Sequence, residues 1–536
     1  MELSRADHTT KPPVVDIPRR YNAAHDLLMR NAAWPEKVAF INALSGEQLS
    51  YGELARQSHQ FANAMRAHGF APESRVLLAM LDTPEWPVVF LGCILAGVVP
   101  VAVNTLLTTA DFEFMLRDSR AQGLVVSSVL LPAFEPLISK MNNLKAVIVA
   151  GEQKTVNLAS NSPSIQPLAQ WIRAQEVTDS VAFDIAETSA DDACFWLYSS
   201  GSTGAPKGTV HLHSHLIQTA ELYGRGVLGI KKSDVVYSAA KLFFAYGLGN
   251  ALTFPMAVGA TTVLLPARPT PADVFCILKK FKPTIFYGVP TLYAAMLADA
   301  ARPEKSEMAL RLCTSAGEAL PAEIGKKFTA TYGVVILDGI GSTEMLHIFL
   351  SNRSGAVRYG TTGQAVPGYQ LRIVGDDGNE CAVGEIGELH ISGPTSAIMY
   401  WNNRAKTKAT FAGDWTKSGD KYTLDSDGYY TYGGRSDDML KVGGIYVSPF
   451  EVEACLMTHP AVFEVAVIGV QDADELVKPK AYVVFKSGQS ATTDELKAHV
   501  KQHLAPYKYP RWFEFVEELP KTATGKIQRF KLRQAQ

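Results

Sequence analysis

Short, continuously apolar runs alternate with longer stretches in which apolar residues recur every three or four positions, over roughly the first two-thirds of the chain. The runs at 75–81, 124–128, 146–150, 235–239, 261–265, 284–287 and 334–337 predict strands buried on both faces. Between them lie amphipathic segments. Residues 53–68 predict a helix, with Leu54, Phe61, Ala64 and Met65 on one face and Gly69 past its C-cap. A shorter helix is expected over 22–33. The stretch 86–103 carries no charge, but Pro87, Gly92, Gly97 and Pro100 interrupt it, so it predicts a buried helix, a turn and a strand rather than a membrane span. This alternation is that of an α/β chain with mostly parallel sheets.

Past about residue 365 the strands shorten and turn signals multiply: Asp377-Gly378, Asp427-Gly428, Gly433-Gly434. An antiparallel subdomain is expected there. Pro449 opens a helix, 461–470 and 480–485 read as strands, and 493–504 reads as a helix ending before Pro506. The expected division is a loose, polar arm over 1–20, a large domain over 21–434, a hinge at 435–438, and a small α+β domain over 439–536.

Composition narrows the class. The 536 residues are 47% hydrophobic, ample for more than one core, and the net charge of −2 argues against a chain built mainly to bind nucleic acid or an acidic membrane. Six cysteines stand at 93, 194, 276, 313, 381 and 455, with no zinc-finger or redox spacing among them. They fit a reducing compartment, and with no signal-like start the expected location is the cytoplasm.

Five polar clusters carry candidate chemistry. After the apolar run 194–198 come Ser199, Ser200, Gly201, Ser202, Thr203, Gly204 and Lys207. Glycines let backbone N–H groups approach an anion, hydroxyls add donors and the lysine adds charge: a phosphate cradle, though not of Walker A spacing. Asp338-Gly339-Ile340-Gly341-Ser342-Thr343-Glu344 follows another strand, and its Glu344 suits a hard cation; the same residues would equally serve as a helix N-cap and first turn. Asp420 follows a tight turn and fits a ribose hydroxyl or simply the turn. Arg435, Asp437 and Asp438 lie at the domain boundary, just before Gly443 and Gly444. Lys521 and Lys526 sit in a Thr/Gly loop near the chain end. The alternating His211, His213 and His215 would share a face of a strand, but lack neighbouring ligands for a metal. The GxGxxG at 224–229 follows a helix and fails as a dinucleotide fingerprint.

In this order and spacing the five clusters resemble the acyl-adenylate-forming superfamily of acyl-CoA synthetases, over nearly the whole chain from Tyr21 to Arg533. The resemblance implies a large N-terminal domain of β-α subdomains with a small β-barrel, and a mobile C-terminal domain. It implies ATP, Mg²⁺ and coenzyme A, with residues 198–208 on the phosphates, Ala316-Gly317-Glu318 and Asp338-Gly339 around adenine, Glu344 at the metal, Thr343 as a catalytic and nucleotide-binding residue beside it, and Asp420 and Arg435 on the ribose. Lys207 and Lys526 are the implied catalytic cations, Asp437 the hinge, and Gly443-Gly444 the coenzyme A tunnel. The segments 241–250, 287–290, 315–321 and 345–349 further resemble those of the benzoate–CoA ligases. Ala245, Tyr246, Gly247, Ile340, Gly341 and His347 would then form a flat aryl slot. His347, three residues past Glu344 on an expected helix, stands as either a donor to the substrate carboxylate or a core histidine. The implied reaction is ATP-dependent ligation of benzoate to coenzyme A through an acyl-adenylate. A substituted benzoate or medium-chain acid remains as an alternative substrate, and a non-catalytic relative as a remote one. Lys526 is a candidate for reversible acetylation, and a homodimer is open.

Overall fold

The computed structural model describes residues 1–151, 163–173, 185–201, 204–436, 438–442, 445–472, 476–521 and 527–534. Two large sheets dominate. One orders the strands Met399–Tyr400, Gly204–Leu212, Ala193–Gly201, Val99–Ala102, Arg75–Ala79, Gly123–Ser127, Ala146–Ala150 and Ser164–Pro167, parallel from Ala193–Gly201 onward. The other runs Gln364–Ala365, Ile348–Ser351, Ile336–Gly341, Leu312–Ser315, Ile285–Gly288, Val235–Ser238, Thr261–Leu264, Val38–Asn42 and Gln48–Ser50, with a parallel centre and antiparallel ends. The expected apolar runs are the central strands of these sheets. Their residues are buried on both faces because helices cover them.

The helix Tyr51–Ala67 begins two residues before the sequence suggests. Ser50 and Glu53 form a capping box there, which satisfies the first free N–H groups. It packs on the helix Glu85–Leu95, the apolar stretch expected to be buried, and a Cβ on Gly92 would stand 2.8 Å from the Phe61 ring. Glycine is what lets these two helices approach. Among the described residues no helix is long and apolar enough to cross a membrane.

Two expectations are corrected. The arm 1–20, expected to be loose, holds a hairpin of Arg5–Asp7 and Val14–Asp16. It is tied down by polar contacts: His8 Nε2 lies 2.7 Å from the Glu221 carboxylate, and Arg30 bonds the Ser4 carbonyl as well as Asp26 and Glu221. The expected antiparallel subdomain is built of five strands, Gln370–Val374, Gly387–Ser392, Phe411–Ala412, Trp415–Leu424 and Tyr430–Arg435. His211 ends a strand, but His213 and His215 open the helix His213–Thr219, so the three do not share a strand face.

Residues 440–532 build apolar clusters of their own. Strands Val462–Gln471, Val477–Phe485 and Trp512–Phe515 pack against the helices Pro449–Met457, Thr493–His503 and Arg529–Gln534. On the first of these helices, buried Glu453 takes a hydrogen bond from Val467 N at 2.7 Å and a two-oxygen grip from Arg529 at 2.7 and 2.9 Å. Breaking such a buried pair by removing one partner costs about 3–5 kcal/mol.

Candidate active site

The candidate phosphate cradle lies on a hairpin. Ala193–Gly201 turns back into Gly204–Leu212, with Ser199 opposite Lys207 and Gly201 opposite Gly204. Ser202 and Thr203 lie outside the described residues. The return strand pairs with Met399–Tyr400 through Thr209 and Tyr400, which brings the Tyr400 ring beneath Lys207, ammonium to centroid 4.8 Å. Burial lowers the proton affinity of Lys207, and the Glu344 carboxylate raises it again.

Glu344 is the centre of the constellation. Its Oε1 accepts from the Tyr400 hydroxyl at 2.7 Å and from Ser199 Oγ at 3.4 Å. Its backbone is fixed as well: Ala397 N donates to the Glu344 carbonyl at 2.7 Å, and His211 Nε2 donates to the Thr343 carbonyl at 2.7 Å. Burial holds His211 near a pKa of about 4, so it is a neutral donor.

The helix expected to carry Glu344 and His347 does not form. Strand Ile336–Gly341 instead returns antiparallel through Ile348–Ser351, and residues 342–347 make the turn between them. Ser342 Oγ accepts from Met345 N at 3.1 Å, the cap-like bond that the polar residues foreshadow, and Leu346 takes φ 66°. A left-handed non-glycine residue in a buried turn stores about 1–3 kcal/mol. Here it carries the chain from the acidic residue to the aryl wall in three steps.

The adenine candidates come together as the sequence suggests. Ser315 is registered opposite Asp338 on adjacent parallel strands, so Ala316-Gly317-Glu318 leaves the sheet beside Asp338-Gly339. Both lie at the carboxyl edge of the sheet, where open α/β sheets bind ligands. Asp338 is buried, and its Oδ1 has no hydrogen-bond partner among the described residues. That burial pushes the carboxyl well above its usual range. Asp420 and Arg435 are opposite each other on paired strands, with Arg435 Nη1 donating to Asp420 Oδ1 at 3.2 Å.

Next to the acidic turn is a cluster of aromatic rings. Tyr246 lies on the short helix Ala245–Leu248, and its hydroxyl is 2.6 Å from Thr314 Oγ1. His347 is buried between rings, with Phe254 edge-on at 4.5 Å, Tyr223 at 5.5 Å and Tyr246 at 5.6 Å. Its Nε2 faces the Tyr246 carbonyl at 3.2 Å, which can only accept, so the proton is on Nε2 and Nδ1 is an acceptor. Burial lowers its pKa to about 3. In this arrangement His347 is a neutral wall and not a donor to a carboxylate. A Cβ on Gly249 would collide with its ring, and one on Gly341 would stand 2.5 Å from its carbonyl oxygen. Ile340 and Ala245 pack partly buried against the same core.

Asp437, Gly443, Gly444 and Lys526 lie outside the described residues. The base of the loop that carries Lys526 is described. Lys521 bridges Ile527, Gln528 N donates to the Pro520 carbonyl at 2.7 Å, and the Glu453–Arg529 pair follows at once. Sequence reasoning missed Tyr400, Tyr223 and Phe254, and the role of His211. No local motif marks them, since each meets the site across a long chain separation.

A candidate anion cradle on a hairpin, an acidic turn beside it and two unequal lobes define a protein that activates a carboxylate at a nucleotide. The chain belongs to the AMP-binding enzyme family: that family's model matches residues 28–401, and the model of the AMP-binding enzyme C-terminal domain matches residues 451–526. The benzoate–CoA ligase of Thauera aromatica is 58% identical to it, across 99% of each chain. The crystal structure of a benzoate CoA ligase from Burkholderia xenovorans LB400 superposes with TM-score 0.87 at 51% identity, covering 96% of this chain and 100% of that one. An anthranilate CoA ligase in complex with anthranoyl-AMP superposes with TM-score 0.89 at 42% identity, covering 97% and 98%.

Tyr246→Ala should raise the benzoate KM by about tenfold or more, as loss of a filled apolar contact does, and leave the ATP KM within about twofold. Steady-state kinetics with each substrate varied would check this; an unchanged benzoate KM removes Tyr246 from the slot.

Proposed function

We propose that this chain ligates benzoate to coenzyme A, consuming ATP and releasing AMP and pyrophosphate through benzoyl-adenylate. The observation that carries the reading is the aromatic cluster of Tyr246, Tyr223, Phe254 and a neutral His347 beside the Glu344 turn. A flat, apolar acid would pack against such a surface, with its carboxylate toward the phosphate hairpin. The whole-length likeness to a benzoate–CoA ligase supports it. The likeness to an anthranilate CoA ligase favours tolerance of a small ring substituent over an alkyl chain.

A carboxylate is a poor acyl donor because oxide is a poor leaving group. In the first half-reaction the benzoate oxygen attacks the α-phosphorus, and pyrophosphate departs with the bonding pair. Ser199, Ser200, Gly201, Ser202, Thr203 and Gly204 hold the phosphates, and Lys207 and Lys526 balance the charge that shifts between them. Asp338, Gly339 and Ala316-Gly317-Glu318 hold adenine; Asp420 and Arg435 hold the ribose. Glu344 would hold Mg²⁺, because both hydrogen bonds to that carboxylate from described residues go to Oε1. Bound there, the ion would supply Lewis-acid stabilisation of the charge on the phosphates. In the second half-reaction the thiol sulfur of coenzyme A attacks the acyl carbon, AMP leaves, and the thiol proton passes to solvent. The thiol would arrive past Gly443-Gly444 once the terminal domain has turned about Asp437. The cytoplasm supplies both nucleotides and keeps the six cysteines reduced. Acetylation of Lys526 would remove its charge and silence the first half-reaction reversibly.

Acid-dependent pyrophosphate release across a panel of acids tests the reading. Benzoate should support release, substituted benzoates less, and medium-chain alkyl acids at least about tenfold less in kcat/KM. Equal rates with hexanoate would overturn it.

A further inference from the structure

Away from the nucleotide site, two helices of the terminal domain present metal-binding side chains to each other. Cys455 is on the helix Pro449–Met457, and His499 and His503 are one turn apart on the helix Thr493–His503. One ligand atom from each lies within 4.8 Å of the other two. His503 Nδ1 faces the His499 carbonyl at 2.8 Å, so it carries the proton and leaves Nε2 with a bare lone pair. The Thr458 hydroxyl donates to the Cys455 carbonyl at 2.7 Å, and its oxygen then accepts from His499 Nε2 at 2.8 Å, which leaves the lone pair of His499 on Nδ1. His459, four residues past Cys455, stands edge-on to the His499 ring at 5.3 Å.

We propose that Cys455, His499 and His503 form a site for a thiophilic divalent ion, of which Zn²⁺ is the best match. A thiolate with two imidazoles is a donor set that zinc favours and magnesium does not, so this site is separate from the ion that accompanies ATP. With Zn–N near 2.0–2.1 Å and Zn–S near 2.3 Å, the edges of a tetrahedral site with one sulfur are about 3.4–3.6 Å. Binding would draw the three ligand atoms from within 4.8 Å of one another to that range. Binding displaces the Cys455 thiol proton to solvent. His503 is exposed, so the fourth position opens to water. The ion would clamp the helix that carries Glu453, and with it Arg529 and the base of the 522–526 loop, to the neighbouring helix. Cysteine spacing does not reveal the site because one thiol alone takes part: its pattern is a single Cys455 and a distant H-x₃-H pair, His499 and His503.

The test uses the tag-free full chain, stripped with chelator and titrated with Co²⁺ as a spectroscopic probe. Wild type should take up one ion per chain with a thiolate-to-metal charge-transfer band, and Zn²⁺ should displace it. Cys455→Ser should lose that band. His503→Ala, an exposed change that spares the fold, should weaken binding by more than the roughly 10–100-fold that loss of an outer-shell partner costs. Zn²⁺ should also raise the unfolding temperature of wild type but not that of His503→Ala. A wild-type protein without the charge-transfer band at one equivalent, or a band that survives in Cys455→Ser, overturns the assignment.

Discussion

Lys526→Ala is expected to slow benzoyl-adenylate formation by about 10²–10³ while thioester formation from supplied benzoyl-AMP stays within about threefold of wild type. Negative charge builds on the α–β bridging oxygen as it departs with pyrophosphate in the first half-reaction, and the attacking carboxylate must approach a phosphoryl group that is already anionic. A single ammonium at that point is worth most where water is excluded. The second half-reaction releases AMP from a neutral acyl carbon and needs no charge there. The described frame around the loop explains why the substitution should act on chemistry alone. The Lys521–Ile527 bridge, Gln528 bound to Pro520 and the Glu453–Arg529 pair do not involve the 526 side chain. Benzoate-dependent ATP–pyrophosphate exchange reads the first half-reaction, and coenzyme A added to synthetic benzoyl-AMP reads the second. Equal losses in both would show that residue 526 serves the fold or both steps, and the role assigned to it would fall.

That frame illustrates what a sequence exposes and what it hides. The run 146–150 was readable as a strand because continuous apolar residues leave few alternatives, and the strand is Ala146–Ala150. Asp338, Glu344 and Lys207 were readable because their chemistry sits inside local glycine-and-hydroxyl motifs. Tyr400 was not: it reaches Glu344 from a two-residue strand whose position depends on pairing with Thr209. His211 was visible, but its work of holding the Thr343 carbonyl depends on a contact 132 residues away. The arm failed for the same reason, since its anchor is the His8–Glu221 contact. The turn at 342–347 failed differently. Ser342-Thr343-Glu344 has the composition of a helix start, and only the antiparallel return of Ile348–Ser351 decides that no helix follows. Local chemistry was legible; which distant partner steadies it was not.

Glu344→Gln isolates charge from shape at the centre of that steadied turn. The amide oxygen can still accept from Tyr400 and Ser199, and the backbone bonds through Ala397 N and the Thr343 carbonyl are untouched. The variant should therefore fold and keep its aromatic cluster, with benzoate affinity little changed. What it loses is the anion. Adenylate formation should fall by about 10²–10³, the scale on which fixed charges act in such sites, and the Mg²⁺ concentration for half-maximal rate should rise. A second consequence follows from Lys207. Burial already lowers its pKa, and Glu344 is the charge that opposes this. Without the carboxylate the lysine gives up its proton at lower pH, so the alkaline limb of the rate profile should shift toward neutrality. Tyr400→Phe provides the contrast: it removes one hydrogen bond from Glu344 but keeps both the carboxylate and the ring beneath Lys207, so its loss should be about tenfold or less with the alkaline limb in place. Measuring pyrophosphate release against Mg²⁺ and against pH in all three proteins separates the terms. If Glu344→Gln left the Mg²⁺ dependence and the pH profile as in wild type, the carboxylate would be only a prop for Tyr400, and the metal would have to be held elsewhere.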